Sequence, residues 1–264
     1  MNSVRPRPPS NARRFGQNFL VDRAVIERII ESLAPRRADH IVEIGPGLGA
    51  LTGPLVERIE HLHVIELDRD LCARLREAYP PERLTVHQGD ALRFDFGTLP
   101  SPLRVVGNLP YNVSTPLLFH VAEAAARCTD LHFMLQQEVV DRMVAEPSRP
   151  EYGRLSVTLQ YRFRMEKLFT VPPGAFRPAP KVSSAVVRLV PRAPEELSVF
   201  DEGDFAEVVA KAFSMRRKTL KNALSGLISP AALAEIGVDP GQRAEALPVA
   251  AFVTIANRIA RTRR

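Results

Sequence analysis

Short apolar runs alternate along the first half of the chain with stretches whose apolar residues recur at helical spacing. The runs predict buried strands at Ile41–Ile44, His61–Leu67, Leu84–Gln88, Leu103–Val106 and Leu131–Leu135. The intervening stretches predict helices at Arg23–Leu33, Ala50–Ile59, Leu71–Tyr79, Thr115–Arg127 and Gln137–Ala145. Because strands that alternate with helices usually pair in parallel, the pattern predicts an α/β fold around an open sheet.

The pattern changes in the second half of the chain. Leu155–Phe163 and Ser184–Val190 alternate apolar and polar residues, which predicts two further strands. Between them, the proline-rich segment Val171–Val182 predicts an irregular loop, since proline has no backbone N–H and a fixed φ. A long rigid loop between two strands is usually functional, and this one carries the aromatic Phe176.

A shift in composition at Pro191–Glu196 precedes a region of short helical patterns. These patterns predict helices at Phe205–Phe213, Lys218–Leu224, Ala231–Ile236 and Pro248–Ala260. The chain is therefore predicted to have three parts: a basic arm and N-terminal strap over 1–22, an α/β catalytic domain over 23–192 and a small helical domain over 193–264.

Composition limits the class of protein. Of the 264 residues, 45% are hydrophobic and 25% charged, as is ordinary for a globular protein. No apolar run approaches the ~20 residues needed to span a bilayer. The N-terminus, MNSVRPRPPSNARR, lacks the apolar segment of a secretory signal, so we expect a cytoplasmic protein with no membrane partner. The histidines and cysteines show no ligand spacing, and no metal site is predicted.

The net charge of +6 is spread unevenly. Residues 1–140 carry 16 Lys and Arg against 17 Asp and Glu, whereas residues 141–264 carry 20 against 13. This asymmetry favours a cofactor-binding first half joined to a face that binds a polyanion such as RNA, although a generic solvated surface is the simpler alternative. The candidate RNA contacts are Arg149, Arg154, Arg177, Lys181, Arg216, Arg217, Lys218 and Lys221.

Polar residues and glycines follow the predicted parallel strands where each strand ends. Gly45–Gly49 is a glycine-rich turn between a strand and a helix, which brings backbone close to a nucleotide-like ligand. Glu66 ends the second strand, where an acid can accept both ribose hydroxyls. Asp90, followed by Ala91, ends the third strand and can accept from an adenine amine. The glycine spacing also fits a dinucleotide site, so a nicotinamide oxidoreductase is one alternative.

The fourth strand delivers the segment Gly107–Tyr111, whose sequence is Gly-Asn-Leu-Pro-Tyr. Pro110 pushes Leu109 towards an extended backbone and removes one donor. The Asn108 side-chain oxygen and the Leu109 carbonyl then offer two acceptors for one NH₂ group, and Tyr111 offers a flat face beside them. This combination predicts binding of the exocyclic amine of a nucleobase.

Taken together, these segments resemble the rRNA adenine N6-dimethyltransferases, which modify two adjacent adenosines near the 3′ end of small-subunit rRNA. The resemblance covers nearly the whole chain and is carried by Gln17–Leu20, Glu43–Gly49, Glu66–Asp68, Gly89–Ala91, Gly107–Tyr111, Phe176–Val182 and the basic segment Phe213–Leu224. It implies a class I, Rossmann-like methyltransferase fold with a seven-stranded mixed sheet and a small all-α C-terminal domain. It also implies S-adenosylmethionine as the methyl donor.

The resemblance also implies roles for single residues. Asn108 and Leu109 would accept the two N–H bonds of the target amine, while Tyr111 and Phe176 would hold the flipped base between them. The predicted cofactor contacts are Asn18, Leu20, Gly45, Gly47, Glu66, Asp90, Ala91 and Asn108, with Asn18 and Leu20 closing over the cofactor from the strap.

The resemblance leaves two further alternatives open. One is a macrolide-resistance methyltransferase that acts on large-subunit rRNA and shares the cofactor and catalytic motifs. The other is a ribosome-assembly or transcription factor that keeps the fold as an RNA-binding module. The expected partner is small-subunit rRNA within a 30S or pre-30S particle, and the expected state is a monomer.

Overall fold

Nine strands and ten α-helices occur in the described part of the chain, residues 18–111, 113–215 and 217–263 of a computed structural model. The strands are β1 (Phe19–Leu20), β2 (His40–Ile44), β3 (Leu62–Glu66), β4 (Leu84–Gln88), β5 (Leu103–Asn108), β6 (Cys128–Gln136), β7 (Phe163–Val171), β8 (Phe176–Arg177) and β9 (Ser184–Pro191). The helices are α1 (Arg23–Leu33), α2 (Thr52–Arg58), α3 (Arg69–Ala78), α4 (Ser114–Glu123), α5 (Gln137–Val144), α6 (Arg154–Arg162), α7 (Glu202–Ser214), α8 (Leu220–Ala223), α9 (Pro230–Glu235) and α10 (Val249–Arg263). Residues 1–17 of the predicted basic arm and strap and the predicted RNA contact Arg216 lie outside the described residues.

Seven strands form one mixed sheet in the order β4-β3-β2-β5-β6-β9-β7. β2 pairs in parallel with β3 and β5, β3 with β4, and β5 with β6, whereas β6 pairs antiparallel with β9. From β2 the following strands β3 and β4 lie on one side, whereas β5 and β6 lie on the other, so the order of the strands reverses between β2 and β5. Open α/β sheets bind ligands at such a reversal. This sheet, together with the helical C-terminal region, confirms the predicted fold class.

A glycine sets the close approach of β5 to β2 beside this switch point. A Cβ atom on Gly107 would lie 2.6 Å from the carbonyl oxygen of Ile44 and 3.0 Å from Cδ2 of Leu109. Glycine is therefore required where the end of one strand presses on the backbone of the next. As a result, Asn108 leaves β5 next to the turn that follows β2.

Two aspartates begin helices in the α/β unit. Asp22 accepts hydrogen bonds from the backbone N–H groups of Ala24 and Val25 at 2.9 and 3.2 Å, and α1 starts after it. Asp68 accepts from the N–H groups of Asp70 and Leu71 and begins α3. Both aspartates cap a helix because a short carboxylate satisfies the free N–H groups of a first helical turn.

The predicted strand over Leu155–Phe163 is wrong. These residues form helix α6, and strand β7 begins only at Phe163. Leu155, Val157 and Tyr161 are all buried, so the helix is enclosed on several sides and its apolar residues do not mark one face. An alternating pattern cannot distinguish a strand from such an enclosed helix.

The proline-rich loop is more regular than predicted. Pro173–Ala175 forms a 3₁₀ turn, and Phe176 and Arg177 form β8, which pairs antiparallel with β1. The Cα partners are Phe19 with Arg177 and Leu20 with Phe176. The residues between the prolines keep their N–H groups, so this short pairing survives the proline content and anchors the strap to the loop.

The chain divides into two compact units. Of the described residues, one unit comprises those up to Val140 together with Glu166–Pro191, and the other comprises Asp141–Met165 together with those from Arg192 onward. The predicted boundary lay after residue 192, and in this division the second unit also includes Asp141–Met165. The reason is packing: Tyr152, Val157 and Tyr161 lie in the same buried cluster as side chains of α7 and α10.

Candidate active site

A pocket opens at the carboxyl ends of the parallel strands. Five segments line it: the strap, the end of β2 with the glycine turn, the end of β3, the turn after β4, and the end of β5 with the start of α4. The predicted site residues among the lining side chains are Asn18, Leu20, Gly45, Gly47, Glu66, Asp90, Ala91, Asn108, Leu109, Pro110 and Tyr111. Parallel pairing gathers them, since every such strand ends at the same edge.

Glu66 organises the glycine turn as well as the pocket. One carboxyl oxygen accepts the N–H of Gly47 at 3.1 Å, and the other accepts the N–H of Asp68 at 2.9 Å. Burial raises the pKa of Glu66, and the hydrogen bonds from backbone N–H groups lower it in part. A carboxylate has about four lone-pair sites, so two remain to accept the hydroxyls of a ribose.

The glycine turn has a backbone that only glycine adopts easily. Gly45 and Gly47 have φ angles of +68° and +57°, in the left-handed region. A Cβ on Gly47 would lie 3.2 Å from the ring of Phe19, so the strap packs directly on this turn. The turn therefore presents bare backbone on one side and is covered by the strap on the other.

Asp90 has two roles in the turn after β4. Its Oδ1 accepts the N–H of Leu92 at 2.9 Å and begins the 3₁₀ turn that starts at Ala91. The carboxyl group is exposed and lines the pocket. Ordinary capping thus accounts for one oxygen of Asp90, and the second is available to an amine in the pocket.

Glu43, on β2, is a buried acid at the base of the pocket. It accepts a hydrogen bond from the Thr52 hydroxyl at 2.7 Å. Burial raises its pKa to about 8, the Thr52 hydrogen bond opposes this rise, and the neighbouring Glu66 charge adds to it. The carboxyl group is therefore largely protonated near neutral pH and adds no full negative charge beside Glu66.

The side chain of Asn108 is held by the strap. Its Nδ2 donates a hydrogen bond to the backbone carbonyl of Asn18 at 3.2 Å. Since the amide nitrogen is engaged there, Oδ1 is left as the acceptor on the other side of the amide. The Asn108 carbonyl lies 3.8 Å from the position of a Cβ on Gly45, so the same residue borders the glycine turn.

The turn after Asn108 fixes an aromatic ring. Leu109 is buried and donates its N–H to the Met134 carbonyl at 3.1 Å, and the Pro110 carbonyl accepts from Val113 at 3.2 Å. The Tyr111 hydroxyl lies 2.6 Å from the Ser184 hydroxyl. Burial raises the pKa of Tyr111, and the Ser184 hydrogen bond partly opposes the rise. The ring is half-buried and lines the pocket as a neutral phenol.

Phe176, which was predicted to form the second wall for a base, is enclosed and does not face the pocket. Its side chain is 0% exposed and packs in a core cluster with Leu20, Leu33 and Val186. It is not among the residues that line the pocket. Pairing of β8 with β1 places the strap against the loop and encloses the ring.

Two contributions to the site are missed by the sequence patterns. Leu67, directly after Glu66, is 54% exposed and lines the pocket, which suits the apolar face of a nucleobase. An apolar residue between two acids after a strand is a signal that could have identified it. Ser184 is fully buried and touches Tyr111 from 73 residues away, and no local spacing points to that contact.

The residues that line this pocket fit S-adenosylmethionine. Bare backbone at Gly45 and Gly47 can approach a methionine group, Glu66 offers acceptors to ribose hydroxyls, and Asp90 offers an acceptor to an adenine amine. Leu67 adds apolar surface next to these acceptors. This mixture of hydrogen-bond acceptors and apolar side chains suits a nucleoside better than a simple anion.

The predicted RNA contacts lie in both units and are exposed. Arg177 and Lys181 belong to the unit that contains the pocket, and the Arg177 guanidinium donates to the carbonyls of Gly174 and Phe176, which shapes the loop. The other five described residues belong to the second unit: Arg149, Arg154, Arg217, Lys218 and Lys221. Exposure leaves all seven available to phosphate groups.

The histidines near the sheet edge form a packed row. His63 Nδ1 lies 3.1 Å from His87 Nε2, and burial together with the neighbouring histidines lowers the pKa of His63 to about 4. No set of three His, Cys, Asp or Glu side chains suited to a metal ion occurs over the ranges 18–111, 113–215 and 217–263. No helix within those ranges is long and apolar enough to cross a bilayer.

Comparison with protein families and curated proteins gives a consistent match. The model of the family described as ribosomal RNA adenine dimethylase matches residues 9–261. The chain is 62% identical over 248 residues to the ribosomal RNA small subunit methyltransferase A of Aromatoleum aromaticum, with 94% of each chain covered. It is 60% identical over 243 residues to the protein of the same name from Thiobacillus denitrificans, covering 92% of this chain and 95% of that one.

Two solved structures share the fold over most of the chain. A dimethyladenosine transferase from Plasmodium falciparum has a TM-score of 0.79 at 22% identity, covering 90% of this chain and 95% of that one. The 23S rRNA methyltransferase ErmE has a TM-score of 0.73 at 27% identity, covering 92% and 100%. The similarity to the Plasmodium falciparum protein supports the fold. The sequence identity to ErmE is far lower than the identity to the two small subunit methyltransferases A.

Proposed function

The chain belongs to the ribosomal RNA adenine dimethylase family, and on that premise we propose that it methylates N6 of two adjacent adenosines in the 3′-terminal hairpin loop of small-subunit rRNA. The product of the proposed reaction is a pair of N6,N6-dimethyladenosines. The protein is an S-adenosylmethionine-dependent rRNA adenine dimethyltransferase, and the modification would serve biogenesis of the small subunit.

The orientation of Asn108 is the observation that carries this proposal. Its amide nitrogen is held by the Asn18 carbonyl, which leaves the oxygen to accept a hydrogen bond from a substrate amine. The amine of adenine has its lone pair delocalised into the ring and is a poor nucleophile. Acceptors at Asn108 and at the Leu109 carbonyl would turn this nitrogen towards tetrahedral geometry and direct its lone pair to the donor. The same acceptors would stabilise positive charge that develops on the nitrogen.

The remaining lining residues would hold the two reactants in line. S-adenosylmethionine, when bound, supplies an electrophilic methyl group. Gly45, Gly47, Glu66 and Asp90 would hold its methionine, ribose and adenine parts, with Asn18 and Leu20 covering it from the strap. Positioning of this kind accounts for a large share of the rate in transfers from an already activated donor. No dedicated general base is needed, because the proton can leave after transfer.

The target base would stack on Tyr111. The ring is half-buried, lines the pocket and sits three residues beyond Asn108, where a base extruded from RNA can reach both. Since Phe176 is enclosed in the core, its ring would face the base only after β8 separates from β1. A second wall from Phe176 thus remains a proposal that requires movement of the loop.

The substrate is rRNA, and we propose a 30S or pre-30S particle as the form in which it is bound. The exposed cations Arg149, Arg154, Arg217, Lys218 and Lys221 of the second unit would contact phosphates. Arg177 and Lys181 would do so near the pocket. A cytoplasmic monomer is the form of the protein that we propose for this reaction.

The large-subunit alternative is less well supported. Identity to small-subunit enzymes reaches 62%, whereas identity to the 23S rRNA methyltransferase ErmE is 27%. A role as an assembly factor without catalysis is also disfavoured, because Gly45, Glu66, Asp90 and Asn108 all line one pocket. Binding to an assembling particle is compatible with the proposed reaction.

One assay tests the function. The protein is incubated with methyl-labelled S-adenosylmethionine and either unmethylated small subunits or large-subunit rRNA, and the nucleosides are separated after digestion. We expect label in dimethyladenosine from the small subunit alone. Label from the large subunit would favour the macrolide-resistance type. Binding to small subunits without any transfer would favour the assembly factor.

A further inference from the structure

Tyr111 forms hydrogen bonds through both its backbone carbonyl and its phenol hydroxyl. Its backbone carbonyl accepts a hydrogen bond from the Ser114 hydroxyl at 3.2 Å, which joins the turn to the start of α4. Its phenol hydroxyl lies 2.6 Å from the Ser184 hydroxyl. The ring between these two points is half-buried and borders the pocket. The residue is thus held at its backbone by the start of α4 and at its hydroxyl by β9.

Sheet topology explains why Ser184 reaches this ring. β9 runs antiparallel to β6, so it begins at the edge where the parallel strands end, and Ser184 is its first residue. Ser184 pairs with Gln136, the last residue of β6, and Asn108 pairs with Met134 of the same strand. Tyr111 crosses the end of β6 to reach the hydroxyl of β9.

Burial makes this contact specific. Ser184 has 0% exposure, so its hydroxyl has no access to water and depends on a protein partner. The Tyr111 hydroxyl supplies that partner at a short distance. The neighbouring Ser183 is half-buried, and among the described residues only its backbone carbonyl is seen to accept a hydrogen bond, from Gln137.

We propose that Ser184 is a positioning residue of the methyl transfer, which anchors the Tyr111 hydroxyl and so holds the ring upright as the wall on which the target adenine stacks. The inference rests on the proposed function and adds a residue to it. Because Phe176 is enclosed in the core, Tyr111 is the aromatic residue next to Asn108 that lines the pocket. A wall that tilts would misalign the amine at Asn108, and misplacement by about 1 Å can lower a rate ~100-fold.

The experiment compares Ser184→Ala, Ser184→Thr, Tyr111→Phe and the double variant, with Ser183→Ala as the matched control. Each protein is first checked for its thermal midpoint and for its affinity for S-adenosylhomocysteine. Steady-state methylation of unmethylated small subunits then gives kcat and KM. We expect Ser184→Ala to lower kcat by roughly 10- to 100-fold with little change in KM. Ser184→Thr keeps the hydroxyl and should retain most of kcat.

Tyr111→Phe breaks the same bond from the other side and keeps the ring. The double variant should be no slower than the slower single variant, because both substitutions remove one interaction. Tyr111→Phe also covers the case in which Ser184→Ala fails to fold. Additive losses would show that the two side chains act separately and would overturn the proposal.

A second readout detects the base itself. Small subunits that carry 2-aminopurine at the target position report base mobility by time-resolved fluorescence anisotropy, and the protein has no tryptophan to interfere. The bound base should be immobile with the wild type and with Ser183→Ala, and it should gain fast motion with Ser184→Ala. A bond that only stabilises the fold would leave this mobility unchanged in the folded variant.

The outcomes separate the two proposals. If the wild type methylates and Ser184→Ala matches it in kcat and in base mobility, the role of Ser184 is overturned and the proposed function stands. If the wild type transfers no methyl group to small subunits, the proposed function fails, and the role of Ser184 in base stacking fails with it.

Discussion

The side-chain amide of Asn108 donates a hydrogen bond to the backbone carbonyl of Asn18 at 3.2 Å, across 90 residues of chain. The carbonyl belongs to the strap, and the strap is itself anchored by the pairing of Leu20 with Phe176. In the proposed reaction, an Asn108 amide of the opposite orientation would present a donor to the substrate amine instead of an acceptor. In the proposed reaction the strap would therefore contribute by orienting this side chain as well as by bordering the pocket.

Removing the Asn108 amide should lower the rate of methyl transfer without weakening cofactor binding. Asn108→Ala loses the side-chain acceptor but keeps the backbone that borders Gly45, so affinity for S-adenosylhomocysteine should change little. Loss of one such acceptor typically lowers kcat by about 10²- to 10³-fold. Calorimetric titration and single-turnover methylation measure the two quantities. Near-normal turnover would exclude the role assigned to Asn108.

The close approach at Gly107 should make this position intolerant of a side chain. Gly107→Ala would place a Cβ 2.6 Å from the Ile44 carbonyl and force β5 and β2 apart. We expect a loss of about 1–3 kcal/mol in the free energy of unfolding, measured by urea titration. Gly89→Ala is the control, since a Cβ there meets no atom within 4 Å. Equal stability of the two variants would contradict the packing described here.

Burial of Phe176 should be visible in stability. Phe176→Ala removes a ring that has no exposed surface and leaves a cavity beside Leu20 and Val186. Truncation of a buried Phe typically costs about 3–5 kcal/mol in the free energy of unfolding. Chemical unfolding of the ligand-free protein measures this. A loss below about 1 kcal/mol would mean that the ring lies outside the core in solution.

Glu43 should make stability depend on pH. The pKa of its carboxyl group is raised from 4.5 to about 8 in the folded protein, mainly by burial and also by Glu66. Between these values the unfolded chain releases the proton while the folded protein keeps it, so stability is full below about pH 4.5 and is lost as pH rises to about 8.

Glu43→Gln tests this dependence, because the amide does not ionise and can still accept a hydrogen bond from Thr52. The free energy of unfolding of the wild type should fall relative to that of Glu43→Gln by on the order of 1 kcal/mol per pH unit within that window. Urea titrations of both proteins at several pH values give the comparison. Parallel curves for the two proteins would show that Glu43 ionises normally in the fold.

The local sequence pattern was sufficient to predict several residues that line the pocket. A glycine, two acids and an amide after successive apolar runs predicted a common site for Gly45, Glu66, Asp90 and Asn108, and parallel pairing brings these residues to one edge of the sheet. The helix caps at Asp22 and Asp68 were equally predictable, because a cap depends on residues only two or three positions away. Each of these inferences uses interactions that are short in sequence or repeated along the sheet.

The sequence pattern gave wrong predictions where burial, or contacts with residues distant in sequence, determined the local structure. The alternation over Leu155–Phe163 indicated a strand, but enclosure in the second unit makes it helix α6. Phe176 has the character of an exposed stacking residue in its loop, yet the two-residue pairing of β8 with β1 encloses it. In both cases the decisive contacts come from segments far away in sequence, which no local period records.

The sequence by itself determined the order of the elements in the parallel part of the sheet, the edge of the sheet that carries the predicted ligand residues, and the acceptors that an adenine amine would need. Only the tertiary structure decided how those groups are oriented: the Asn18 carbonyl turns the Asn108 amide, and Ser184 anchors Tyr111 across the end of β6. The physical reason is that the type of a side chain sets its chemistry, whereas its direction depends on strand register and on hydrogen bonds between residues 73 and 90 positions apart.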